Sequence, residues 1–199
     1  MKAVLVFAAL AACAVSAAAQ EPGPAVRPPR NWLTVWAGGY TNGGGVYDPA
    51  SRSTWDFGSS LAGGVGVHRQ VGSGLVVGLE TSFAPAPFER SDSTERVVDR
   101  GRARLVTALA TGRLRYGGGG PVGLYLTGGA GTLVYGMPTL GRWDPDLALL
   151  TGAGLEYRPR RAQVFFVEWG RLWTFHQKEG VEDNDTRFSQ LRAGVRIGW

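Results

Sequence analysis

The chain is 199 residues long, with 31 glycines, a single cysteine and a mean hydropathy of −0.07. Beyond the N-terminus no apolar run approaches the ~20 residues that a membrane-spanning helix needs, which excludes a bundle of such helices. A formal charge of +5 and a pI of about 9.8 raise nucleic acid as a partner, but the arginines occur at strand ends, in turns and on polar faces instead of in one stripe.

Met1-Lys2 is a short positive start, Ala3 to Val15 is apolar, and Ala17-Ala18-Ala19 before Gln20 offers a small-residue cleavage site. Residues 1–19 therefore read as a secretory signal peptide, and export takes the chain away from nucleic acid. Leu10-Ala11-Ala12-Cys13 offers the alternative of a lipidated cysteine, but the apolar run continues past it, and cleavage after Ala19 is preferred. With Cys13 removed, the mature chain has no disulfide and no cysteine metal site. Residues 20–30 are proline-rich and read as a flexible periplasmic lead-in. Residues 31–199 form one domain.

That domain divides into eight segments with period-two alternation, the mark of strands with one apolar and one polar face. The first, residues 32–41, sets Leu33, Val35 and Ala37 against Trp32, Thr34 and Trp36, with its in/out sense open. A loop at 42–53 follows. The second strand, 54–69, is read straight through, with Trp55, Phe57, Leu61, Val65 and Val67 on one face and Gly64, Gly66 and His68 on the other. A tight turn at 71–74 leads into the third, 75–85, with Leu75, Val77, Leu79 and Phe83 outward and Glu80 inward. Pro85, Pro87 and the charged run up to Arg102 read as the longest loop, 88–102.

The fourth strand, 103–116, turns Val106, Ala108, Ala110 and Leu114 outward and Thr107, Thr111, Arg113 and Arg115 inward. A turn at 117–121 joins it to the fifth, 122–135, whose Leu124 and Leu126 face out and Tyr125 and Thr127 in. After a loop at 136–145, the sixth strand, 146–157, has Leu147, Leu149 and Leu155 outward and Glu156 inward. The basic turn 158–161 precedes the seventh, 162–176, with Phe165, Val167, Trp169, Trp173 and Phe175 outward and Glu168, Thr174 and His176 inward. Arg171 shares the outward parity, so either a bulge resets the register or its guanidinium snorkels to an interface. A charged loop at 177–185 leads to the eighth strand, 186–199.

In that last strand Leu191, Ala193, Val195, Ile197 and Trp199 alternate with Arg192, Gly194, Arg196 and Gly198. An apolar row ending on an aromatic, opposite arginines, suits a strand with lipid on one side and a wet lumen on the other. Long and short connections alternate along the chain, and a spanning sheet has to close because the bilayer core offers no water to free backbone groups. The expected fold is all-β: an eight-stranded antiparallel up-and-down transmembrane β-barrel, termini and short turns in the periplasm, longer loops outside.

The ending resembles the C-terminal signal of bacterial outer-membrane barrels, with Trp199, Ile197 and Val195 as its assembly residues. The whole mature chain resembles the small barrels related to the membrane domain of outer membrane protein A, although no single motif is specific. The resemblance implies the cell outer membrane of a Gram-negative-type envelope, a monomer, contact with lipid and lipopolysaccharide, and recognition by the barrel assembly machinery.

The polar row holds Glu80, Arg113, Glu168, Arg192 and Arg196 as lumenal ion-pair candidates, since a buried charge needs a partner. The preferred reading is a static plug. A narrow pore gated by rearranging pairs, as the resemblance allows, is the alternative. A lipid A-modifying enzyme is a third reading, but deacylases of that kind carry His and Ser two residues apart on a late strand, and His176 is followed by Gln177-Lys178. A soluble lipocalin-like barrel would need an apolar interior, which the inward acids and arginines oppose. GVGVHRQVGSGLVVG lacks the Lys-Ser/Thr ending of a phosphate loop, and no metal-ligand spacing or cofactor motif appears. The expected role is structural or surface-presenting, without catalysis.

Overall fold

The computed structural model describes residues 29–42, 45–48, 52–116, 120–137, 142–175 and 185–199. The signal peptide, nearly all of the lead-in, His176 and the centres of several loops lie outside these residues. The described strands are β1 (Asn31–Asn42), β2 (Val46–Asp48), β3 (Ser53–Phe57), β4 (Ser60–Gln70), β5 (Leu75–Ser91), β6 (Val97–Tyr116), β7 (Val122–Met137), β8 (Arg142–Arg160), β9 (Gln163–Phe175) and β10 (Asp185–Gly198). Eight of them close a ring in the order β5-β4-β1-β10-β9-β8-β7-β6, with β6 pairing back onto β5. Every neighbour is antiparallel, as an up-and-down barrel requires. The ends of the domain meet at the seam: the Trp199 amide donates to the Asn31 carbonyl at 3.0 Å and the Asn31 amide to the Trp199 carbonyl at 3.3 Å.

The alternation of the sequence becomes the two faces of the wall. Leu61 is 78 % exposed, Leu79 64 %, and Val122 and Leu124 each 60 %, in rows that run from strand to strand around the barrel. Water would penalise an apolar band of this extent, whereas lipid tails accept it. In β1 the open question resolves with Trp32, Thr34 and Trp36 in the lumen and Leu33 and Val35 outside.

The expected second strand is corrected. From Phe57 to Gly63 the chain takes six steps while its partner takes five, from Phe83 to Phe88. One extra residue at Gly58-Ser59 makes a bulge, and a bulge reverses the parity of everything beyond it. Trp55 and Phe57, each 4 % exposed, therefore face inward, opposite in sense to Leu61, Val65 and Val67.

The longest expected loop is corrected too. β5 and β6 stay paired up to Ser91 and Val97, so only a short tip of the 88–102 segment is loop. The prolines of β5 are tolerated because residues 84–87 fall where the ladder to β3 and β4 is interrupted. There Pro87 has no amide to place, and its carbonyl accepts from the Gly58 amide at 2.8 Å. Likewise β7 and β8 run on into the expected 136–145 loop, and the 42–53 loop contains β2, which pairs with β3.

The interior has two storeys. Toward the short turns it is charged. Toward the long loops aromatic and aliphatic side chains predominate, with Asp146, Thr174 and Thr186 buried among them, which the sequence reading of a polar interior did not expect. Trp55 and Phe88 stack at 5.2 Å, and Phe57 meets Tyr135 at 5.2 Å and Phe188 at 6.2 Å. β3 lies three strands from β7 around the wall, through β5 and β6, so the contact between Phe57 and Tyr135 reaches across the upper lumen.

Candidate functional site

The first cluster of the lower storey is built from inward positions of six strands, β1, β4, β5, β6, β9 and β10, around one pair of carboxylates. Glu80 stands on β5 and Glu168 on β9, with side chains 4 % and 0 % exposed. Arg192 of β10 bridges them: Nη1 donates to Glu80 Oε1 at 2.7 Å and Nε to Glu168 Oε1 at 2.8 Å. Arg113 of β6 donates from Nη2 to Glu80 Oε2 at 2.6 Å and places Nε 4.0 Å from Glu168 Oε2. The Glu80–Arg113 and Glu168–Arg192 pairs join neighbouring strands along the wall, but β5 and β10 are not neighbours, nor β6 and β9, so the Glu80–Arg192 and Glu168–Arg113 contacts span the lumen.

Neutral donors complete the layer. Trp36 Nε1 donates to Glu80 Oε1 at 3.0 Å, and the Arg192 guanidinium lies 5.0 Å from the Trp36 ring. His68 Nε2 is 3.1 Å from Arg113 Nη1 and 3.1 Å from Thr111 Oγ1, and Nδ1 is 3.1 Å from Thr34 Oγ1. A guanidinium only donates, so Nε2 accepts there and the ring hydrogen goes to Thr34. Glycine makes the space: a Cβ at Gly64 would stand 2.5 Å from Trp36 Cε2, and one at Gly66 would stand 2.5 Å from Glu80 Cγ.

A second cluster lies nearer the short turns. Glu156 of β8 accepts from Arg158 Nε at 2.9 Å on Oε1 and from Arg196 Nη1 at 3.0 Å on Oε2, and Arg115 Nε forms an ion pair with Oε1 at 2.6 Å. The Arg196 guanidinium is held between the rings of Phe166, at 4.3 Å, and Tyr125, at 4.8 Å.

Of the residues singled out from sequence, Glu80, Arg113, Glu168 and Arg192 thus share one cluster, and Arg196 belongs to the other. Sequence reasoning passed over His68, Trp36, Glu156, Arg115 and Arg158 as members of the layer. Inward parity was the signal for His68, Arg115 and Glu156, whereas Trp36 stood on a strand whose in/out sense was open and Arg158 read as part of a turn. Val195 and Ile197 lie on the outward row, and Trp199 is 62 % exposed at the end of it. Arg171 faces outward on an unbroken register between β9 and β10, so no bulge resets it, and its guanidinium lies 6.0 Å from the Trp169 ring. Among the described residues no group of His, Cys, Asp and Glu is arranged to hold a metal ion.

No family model matches the sequence, and no curated protein matches it significantly. Solved structures match the fold. Neisserial surface protein A superposes with a TM-score of 0.55 at 14% identity, over 85% of this chain and 97% of that one. The outer membrane protein OprG from Pseudomonas aeruginosa gives 0.53 at 10% identity, over 87% and 97%. The outer membrane protein AlkL in lipid bilayers gives 0.50 at 14% identity, over 91% and 97%. At these identities the likeness is one of fold, and the fold is the small outer-membrane β-barrel.

Proposed function

We propose that this eight-stranded outer-membrane barrel is a closed, non-catalytic protein of the envelope that holds its outer hairpins at the cell surface and passes no solute through its lumen. The observation that carries the reading is the double closure, with ion pairs bridging the lumen below and aromatic rings meeting across it above. The lipid-facing surface supports contact with phospholipid and lipopolysaccharide. The exposed Trp199 supports a role in recognition by the barrel assembly machinery, and Trp199→Ser should lower the amount of protein in the outer membrane at native expression. Undiminished insertion would remove that role.

A gated pore is the second reading, favoured by one feature: Glu80 and Glu168 each face two guanidiniums and so have an alternative partner at hand. The test is a double-mutant cycle. Breaking one member of a buried pair strands the other, at a cost of about 3–5 kcal/mol where burial is complete. Glu168→Gln and Arg192→Gln should each destabilise the refolded barrel, read from the heat-modifiable gel band. The double variant should lose less than the sum, because the two side chains touch. Planar-bilayer conductance of the same variants separates the readings: a plug shows no added current when the pair is broken, and a gate conducts more or stays open longer.

A lipid A-modifying activity finds little support. The His68 ring is engaged with Thr34, Thr111 and Arg113 inside the lumen, away from the surface where acyl chains lie. Incubation of the refolded protein with lipid A and mass analysis of the products tests this directly, and a shortened or transferred acyl chain would overturn the non-catalytic reading.

A further inference from the structure

Beneath the Glu80–Arg192 cluster the lumen widens, at the short-turn end, into a cavity of about 300 Å³. Arg113, Arg115, Arg158 and Arg196 line it with Trp32, and among the described residues the one carboxylate in its wall is Glu156. Charge is not balanced here. The lower lumen holds five guanidiniums, those of Arg113, Arg115, Arg158, Arg192 and Arg196, against the three carboxylates of Glu80, Glu156 and Glu168. Glu156 is already shared among three arginines. Arg196, its side chain 7 % exposed, keeps Nε and Nη2 without an acceptor among the described residues, and the buried Nε1 of Trp32 has none either.

A pocket lined by four guanidiniums against one carboxylate, with Arg196 Nε and Nη2 and Trp32 Nε1 to spare beside a Tyr125 hydroxyl that donates as well as accepts, selects an anion and repels a cation. The planar edge of a guanidinium matches two oxygens of a tetrahedral oxyanion, and partial burial strengthens that pairing. We infer that this cavity is a binding site for a small phosphate-type oxyanion. The lining reaches the end of β4 at Gln70 and the turn residues Ser73 and Gly74 and includes no side chain of the lipid-facing rows, so the ligand comes from solution and not from a phospholipid headgroup. That the solution is the periplasm rests on the orientation proposed above. Binding itself does not depend on whether the lumen is a plug or a gate.

The test is calorimetric titration of inorganic phosphate and of pyrophosphate into the refolded full-length barrel, in an uncharged detergent at constant ionic strength. One site per barrel is expected. Arg196→Gln should weaken it by about tenfold or more, the worth of a charge-assisted pair. Trp32→Phe should weaken it a few-fold. Arg196→Gln also removes a contact to Glu156, so Glu156→Gln provides the opposite sign: it removes the competing carboxylate with little change of shape and should bind several-fold more tightly. Arg171→Gln, on the outer surface, should bind as the parent does. Absence of binding by the parent, or no tightening in a folded Glu156→Gln barrel, overturns the site. A second arm compares phosphate binding in vesicles of zwitterionic lipid with and without phosphatidic acid. Unchanged affinity supports a soluble ligand, and competition by the lipid overturns that assignment of source.

Discussion

A single missing side chain decides how the charged layer is built. Glycine at position 64, directly across from Trp36 on the neighbouring strand, lets the indole lie over the β4 backbone, where it donates to Glu80 and underlies Arg192. Adding one methyl group there forces the indole aside, and overpacking of this kind costs about 1–3 kcal/mol. Gly64→Ala should therefore lower the stability of the folded band by that amount. Gly112→Ala, where a Cβ meets nothing within 4 Å, should leave it unchanged. Equal losses in both would mean that β propensity, and not the space for Trp36, sets the effect. At this scale the sequence was partly legible. Parity and distance from the short turns bring Glu80, Arg113, Glu168 and Arg192 to one height. They did not bring Arg158 into the lumen, because Arg158 to Arg161 read as a turn, whereas β8 continues to Arg160 and keeps the inward parity of Glu156 through Arg158. The error was one of strand boundary, the least determined feature of an alternating pattern.

The elements show where alternation stops being a guide. It reads the parity of each lipid-spanning segment directly, because lipid outside and a packed lumen inside impose opposite chemistry on successive residues. It misses the bulge, since a straight count through Gly58-Ser59 aligns Trp55 and Phe57 with Leu61 and makes one long apolar face. It also misses the upper parts of β5 and β6. Above the apolar belt the outward positions Glu89, Arg100, Arg102 and Arg104 are polar, so the segment resembles a loop, although Ala84, Ala86, Phe88, Ala103 and Leu105 keep the inward row apolar. The bulge has a definite use, for the same residues paired straight through would turn Trp55 and Phe57 to the outside. Deleting Ser59 removes the extra residue, so β3 and β4 should pair continuously with β5 and keep both rings inward, with the transition of the heat-modifiable band unchanged. Phe57→Ala removes one buried aromatic ring and should cost about 3–5 kcal/mol, read as an earlier transition of the same band. A deletion variant as unstable as Phe57→Ala would show that the extra residue does more than set the parity of the two rings.

At the scale of the whole molecule, closure and orientation follow from the same facts. Eight strands with paired termini put both ends of the domain at one rim, together with the short turns. The opposite rim carries the β5–β6 hairpin, which rises above the belt to a tip where Asp92 accepts the backbone amides of Thr94 at 2.8 Å and Arg96 at 3.1 Å. A barrel assembled from the periplasm moves its longer connections across the membrane once and keeps its short turns behind. The hairpin tip should then be outside the cell and the 71–74 turn inside. Cys13 is the one cysteine of the sequence, so single cysteines placed in a Cys13→Ala background report position without interference. Ser93→Cys sits at the exposed tip beside the Asp92 turn, and Ser73→Cys in the exposed short turn. An impermeant maleimide applied to intact cells should label position 93 to near completion and position 73 only after the outer membrane is permeabilised. Labelling of 73 but not 93 would invert the barrel. It would also turn the arginine-lined cavity toward the outside, where the ligand to be sought would be an extracellular anion.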